Sequence, residues 1–83
     1  MAYEAITYRA SGEIERATFE EEPSLEWLQA QVGGYIERVP GLGVQVWCNE
    51  DGRMAGLPRN PHAAKLLGRE IVGDFVVCDP PCK

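Results

Sequence analysis

Lysine is almost missing from this chain: only Lys65 and Lys83 occur, and six arginines (Arg9, Arg16, Arg38, Arg53, Arg59 and Arg69) are scattered without forming a stripe. Against them stand 13 acidic side chains, for a formal net charge of -5. Affinity for nucleic acid rests on clustered cations that neutralise phosphates, so direct nucleic-acid binding is not expected. An acidic domain can instead mimic a phosphate backbone. Glu20, Glu21 and Glu22 are the densest acidic point, although such a run also reads as the solvated lead-in to a helix. No apolar run approaches the length of a membrane span, and the opening "MAYEAITYRA" lacks a basic region followed by an apolar one, so a cytoplasmic protein is expected. Three cysteines, an odd number, make a poor disulfide framework, and free thiols are the expectation.

What is present is the composition of an ordinary globular protein, 45% hydrophobic and 25% charged over 83 residues. A chain of this length is one domain, 1–83, with a modest core. It reads as an N-terminal β-hairpin (1–19), a core (24–79) and a tail (80–83).

"YEAITYRA" and "EIERATFE" alternate β-formers with polar residues around an "SG" turn, which predicts strands at 3–10 and 13–19. Ile6 and Tyr8 share one face; Ile14 with Ala17 or Phe19 suggests a slip or bulge in the second strand. "PSLEWLQAQVGG" predicts a helix, with Ser24 as N-cap, Leu25, Leu28 and Val32 as its apolar stripe, and a Gly33-Gly34 stop. "GYIERVP" and "VQVWCNE" predict two more strands, the latter with Val44, Val46 and Cys48 on one face and Gln45, Trp47 and Asn49 on the other. "EDGR" reads as a turn in which Gly52 takes positive φ, and "RMAGLP" as a returning strand. Asn60 and Pro61 open a short helix "PHAAKLL" stopped by Gly68, and "EIVGDFVVCD" is the last strand. The order β-β-α-β-β-(β)-α-β predicts an α+β domain: a small, mostly antiparallel sheet with both helices packed on one face.

The stretch "NEDGRMAGLPRNPH" at 49–62 concentrates the polar residues. Glu50 and Asp51 are adjacent and diverge on a strand end, unlike a carboxylate pair facing one gap. Counting back from Gly52 puts Trp47 where a calcium loop needs its first Asp. Arg53 and Arg59 could hold a small anionic ligand, helped by Asn60 and the free N–H groups at the helix start. His62 has no recognisable nucleophile beside it, so no catalytic residue is assigned and an enzyme is not expected. No cofactor is expected. One metal alternative stays open, a zinc set of Cys48, His62, Cys78 and Cys82, set against Cys48 and Cys78 as buried apolar thiols.

"VGGYIERVP", "VWCNEDGRMAGLPRNPHAAKLLG" and "IVGDFVV" together resemble the small proteins grouped as domain of unknown function 3846, over roughly residues 24 to 79, with the hairpin compatible; the terminal "CDPPCK" departs from that pattern. The resemblance implies an accessory protein of a bacteriophage or mobile element and assigns no activity. The combined expectation is a non-enzymatic binding module in the bacterial host cytoplasm, acting on a host protein or self-associating as a small homo-oligomer. With both helices on one face the other would need cover, so Trp47 and Gln45, joined by Tyr35 and Arg38, are the candidate partner surface. The alternative is a small-molecule or nucleotide-sequestering protein using Arg53, Arg59 and Asn60.

Overall fold

The computed structural model describes residues 2–40 and 44–79; the "GLG" connection at 41–43 and the tail at 80–83, with Cys82, lie outside the described residues. Strands β1 (Tyr3–Tyr8) and β2 (Ile14–Phe19) form the first hairpin, closed by the Arg9 N–H donating to Glu13 O at 2.8 Å and the Gly12 N–H donating to Arg9 O at 2.9 Å. Helix α1 (Leu25–Val32) starts where Ser24 Oγ accepts the Trp27 N–H and ends at Gly33, which is left-handed. Strands β3 (Ile36–Arg38) and β4 (Gln45–Asn49) follow. Helix α2 (Pro61–Leu67) is capped by Asn60 and stopped by Gly68, and β5 (Phe75–Asp79) closes the fold.

The sheet is antiparallel throughout, in the order β2-β1-β5-β4-β3. The α+β class and the antiparallel sheet are as expected, and the last strand in sequence is the central one in space. Registers across the sheet define two faces. On one face Ala17, Ala5, Cys78 and Gln45 stand in a row, beside a second row of Glu15, Thr7, Val76 and Trp47. The other face carries Ile14, Tyr8, Phe75 and Cys48, beside Arg16, Ile6, Val77 and Val46.

Helix α1 lays Leu28 and Val32 on the first face, against Ala5, Val76 and Cys78. Helix α2 and the segment after it lay Ala63 and Ile71 on the second, against Val46, Cys48 and Phe75. The helices therefore cover opposite faces, which corrects the expectation that both pack on one. The cause is the central strand: "FVVC" is apolar on both sides, and Phe75, Val76 and Cys78 are all buried. A strand buried on both faces reads as a continuous apolar run and requires cover twice. Burying each large side chain of this kind contributes about 1.5–3 kcal/mol, a large share for so small a core.

One predicted strand is missing and others are shorter, "GYIERVP" reducing to Ile36–Arg38. "RMAGLP" is not a returning strand: residues 50–56 form a helical turn, with Ala55 N–H donating to Asp51 O and Leu57 N–H to Gly52 O. Asn49 starts this turn, because its Oδ1 accepts the Asp51 N–H at 2.8 Å. Only Arg59 reaches extended pairing, as an isolated antiparallel bridge to Val72. The last strand begins at Phe75 and not at Glu70, because Gly73 has φ 78 and interrupts it. Within the strands the hairpin needs neither slip nor bulge; the two-against-one position is at the turn, where Gly12, with φ 104, and Glu13 both bond to Arg9. Its register runs unbroken from Tyr3 opposite Phe19 to Tyr8 opposite Ile14, and the apolar residues of β2 are simply divided between the two faces.

Candidate functional site

Opposite α1, beyond the end of α2, the sheet is roofed only by the 50–56 turn and residues 69–72. Between them lies an open groove of about 440 Å³. Strand β3 contributes Glu37 to it and the chain after β3 contributes Val39 and Pro40; β4 contributes Cys48 and Asn49; the turn contributes Glu50, Arg53 and Met54; the far wall is Arg69, Glu70, Ile71 and Val72. Three carboxylates and two guanidinium groups thus surround an apolar floor. Met54 is 90% exposed at the rim, the most exposed large apolar side chain of the described residues.

Gly52 fixes the depth of the groove. It does not have positive φ, contrary to the turn reading. It is glycine for lack of space: a Cβ there would stand 2.9 Å from Val72 Cγ2 and 3.4 Å from the carbonyl oxygens of Asn49 and Val72. The turn can lie this close to residue 72 only without a side chain at 52.

At the floor Cys48 is buried. Burial first, and the Glu37 carboxylate second, push its thiol above the usual range. It is a protonated, weakly nucleophilic group at neutral pH. The histidine is elsewhere: His62 packs on Tyr8 at 5.3 Å between ring centroids, and its Nε2 lies 2.9 Å from Gly12 O, tying α2 to the hairpin turn.

The residues proposed from sequence are spread over both faces. Gln45 is 3% exposed on the face that α1 covers. Trp47 is half-buried in the same face, with its Nε1 buried and lacking a hydrogen-bond partner among the described residues. That face is not the open one, so Trp47 and Gln45 do not form an exposed pair. Tyr35 is 69% exposed and its carbonyl accepts the Glu50 N–H at 2.9 Å.

Asn60 is buried and fully engaged. Its Oδ1 caps α2, and its Nδ2 donates to Tyr8 O and Gly73 O, each at 2.9 Å. Arg59 pairs with Glu70 at 3.1 Å at the surface. Of the anion-binding trio Arg53, Arg59 and Asn60, only Arg53 lines the groove; Arg69, absent from that trio, joins it.

Cys48 and Cys78 stand on opposite faces of the sheet, opposite Phe75 and opposite Gln45 respectively. A tetrahedral ion needs all its ligands within bonding distance, so one ion cannot take both, and the set of Cys48, His62, Cys78 and Cys82 is not brought together. Among the described residues, no three His, Cys, Asp or Glu side chains are placed to hold a metal.

Arg9 is the densest polar junction. Its guanidinium donates to Glu15 at 2.7 Å, to Asp74 at 2.9 Å, and to Gln31 O and Oε1 at 2.9 and 2.8 Å, joining the hairpin, the end of α1 and the entry to β5. The pairing holds Arg9 above its usual range, the Glu15 hydrogen bond being the largest cause. Four hydrogen bonds to three residues engage all three of its nitrogens, which makes it a structural clasp.

Sequence reasoning missed Glu37, Met54, Arg69 and Glu70. The available signal was a methionine inside a charged turn, where burial cannot explain it, and an arginine just beyond a glycine helix stop.

These features define a small α+β protein, an open antiparallel sheet with one helix on each face and a mixed-charge groove beside the second. The chain belongs to the family described as domain of unknown function (DUF3846), whose model matches residues 3–83. The match takes in the hairpin and the terminal "CDPPCK", beyond the 24–79 that the motifs had suggested. No curated protein and no solved structure matches the chain. Among the described residues, no helix is long and apolar enough to cross a membrane.

Proposed function

We propose that the chain is a non-enzymatic binding module whose partner is a protein, gripped in the groove between β3, the 50–56 turn and residues 69–72. One observation carries this reading: Met54, 90% exposed, stands at the rim of a charged groove with an apolar floor. Methionine adapts its shape to partner surfaces, and an apolar anchor inside a polar rim is the usual anatomy of a protein interface. With Glu37, Glu50 and Glu70 against Arg53 and Arg69, the groove favours a segment that offers an apolar side chain beside a basic one. The separation of the Cys48 thiol from the His62 imidazole supports binding over catalysis. The setting suggested by the family resemblance, a bacteriophage or mobile-element protein acting on a host protein in the bacterial cytoplasm, belongs to the same proposal.

A second reading has its own support. Arg53 and Arg69 share the groove and could together hold a small anion, a nucleotide among them, in place of the Arg53, Arg59 and Asn60 arrangement. Capture from bacterial lysate on immobilised wild-type, Met54→Glu and Arg53→Ala proteins, each shown folded by circular dichroism, separates the two. A protein partner is lost with Met54→Glu and largely kept with Arg53→Ala. For an anion, added inorganic phosphate or nucleotide raises the melting temperature of the wild type and of Met54→Glu, but not of Arg53→Ala. Capture that ignores both substitutions, without thermal stabilisation by either anion, contradicts both readings.

A further inference from the structure

Among the described residues, no strand pairs with the outer sides of β2 and β3, the two ends of the sheet. Strand β3 is three residues long and is followed by Pro40, which has no N–H to offer. Strand β2 is six residues long, contains no proline and is terminal in the sheet. The Arg9 N–H to Glu13 O bond marks 9 and 13 as a hydrogen-bonded pair. By antiparallel alternation, Thr7–Glu15, Ala5–Ala17 and Tyr3–Phe19 exchange the inward bonds. The N–H and C=O groups of Ile14, Arg16 and Thr18 therefore point to the open side.

Charged side chains usually guard such an edge. Here each charged side chain of β2 has an opposite charge near it in the hairpin: Glu15 lies 2.7 Å from Arg9, and Arg16, itself 69% exposed, is 4.0 Å from Glu4 on β1. With one charge of each sign, β2 has no net charge to repel a second strand.

We propose that β2 is a self-pairing edge, through which two copies of this chain join antiparallel about a two-fold axis passing between their Ala17 residues, merging two five-stranded sheets into one. A two-fold axis normal to the sheet keeps each side chain on its own face, so only residues of the same parity pair. An axis at Glu15 sets two carboxylates opposite each other, and an axis at Arg16 sets two guanidinium groups opposite each other; both are unfavourable. An axis at Thr18 leaves half of the strand beyond the overlap. At Ala17 the pairs are Arg16 with Thr18 and Glu15 with Phe19, with no like charges directly opposed. Each Arg16–Thr18 pair exchanges two backbone hydrogen bonds. Ala17 falls at the non-hydrogen-bonded position, where strands bring side chains closest, and its methyl group fits there. Arg16 comes within diagonal reach of both Glu20 and Arg16 of the second copy, so that attraction to the first offsets repulsion from the second.

The test is sedimentation of the full chain from about 1 µM to about 1 mM. The wild type should pass from 9.2 kDa to twice that mass as concentration rises. Thr18→Pro removes only an outward N–H and is tolerated on an edge strand; it should stay at the single-chain mass with an unchanged circular dichroism spectrum. A wild type that remains one chain at about 1 mM overturns the proposal, as does a folded Thr18→Pro that still doubles its mass. Should Thr18→Pro fail to fold, amide exchange of the wild type decides. The Arg16 and Thr18 N–H groups should exchange more slowly at the top of the concentration range, and equal rates overturn the proposal. Because the edge is separate from the groove, Met54→Glu should leave the mass curve unmoved; a shifted curve would put the interface at the groove instead.

Discussion

Replacing Asn60 by aspartate should destabilise the protein at least as much as replacing it by alanine, although aspartate and asparagine are equivalent helix caps. Asn60 does two things at once: Oδ1 caps α2 through the His62 N–H, and Nδ2 donates to the carbonyls of Tyr8 and Gly73. Alanine loses the cap, about 1 kcal/mol, and both hydrogen bonds, about 1 kcal/mol each. The total of about 3 kcal/mol is a large part of the roughly 5–15 kcal/mol that holds a domain together. For a domain of this size it lowers Tm by about 12–24 °C, at about 4–8 °C per kcal/mol. Aspartate keeps the cap but turns a carboxylate oxygen toward two carbonyl oxygens at a position only 4% exposed, so its loss is at least that of alanine. Thermal and urea unfolding of the three proteins measure this. An Asn60→Asp protein within about 0.5 kcal/mol of wild type would refute the reasoning and return Asn60 to the candidate binding residues.

Three further outcomes follow from the geometry. Arg9 holds the Glu15 carboxyl below its ordinary 4.5, through a hydrogen bond first and charge second; the stabilisation is complete above 4.5 and is lost as pH falls through the lowered value. The slope of stability against pH between about pH 5 and about pH 3 should therefore be shallower in Glu15→Gln than in wild type, and equal slopes would dissolve the pairing. Gly52→Ala should cost about 1–3 kcal/mol from overpacking, offset by about 0.4–1 kcal/mol from the stiffened unfolded chain. Val72→Ala in the same molecule should recover part of the loss, and strict additivity in the double-mutant cycle would mean the two do not meet. Alkylation at Cys48, followed by peptide mass mapping at mildly alkaline pH, should be slow in the wild type and faster in Glu37→Gln, since that carboxylate helps keep the thiol protonated; an unchanged rate would leave burial as the only cause.

Local chemistry was legible in the sequence wherever one residue decides the outcome. Ser24 and Asn60 start their helices, Gly33 and Gly68 stop theirs, and the alternation in "YEAITY" and "QVWCN" marks strands because nearest-neighbour geometry is enough to place them. The sheet order was not legible, because nothing local says that β5 enters between β1 and β4. The two-sided cover was written in "FVVC", whose unbroken apolar run belongs to a strand buried on both faces; assigning both helices to one face put Trp47 and Gln45 on an open surface that α1 in fact covers. "RMAGLP" misled because its alternating residues suit a strand, while the Asn49 side chain bonding to the Asp51 N–H begins a helical turn. The groove joins residues 37, 54 and 69, which lie far apart in the chain. Only the tertiary arrangement brings them together.

The measurement that tests the binding account most directly is site-specific photo-crosslinking in bacterial lysate from two exposed positions on opposite faces of the molecule. Met54, at the groove, is 90% exposed, and Leu25, on α1, is 57% exposed. A photoreactive side chain at 54 should give a discrete adduct with one protein partner, and the same group at 25 should give none. An adduct from 25 and not from 54, or identical diffuse labelling from both, would contradict the groove as the binding surface.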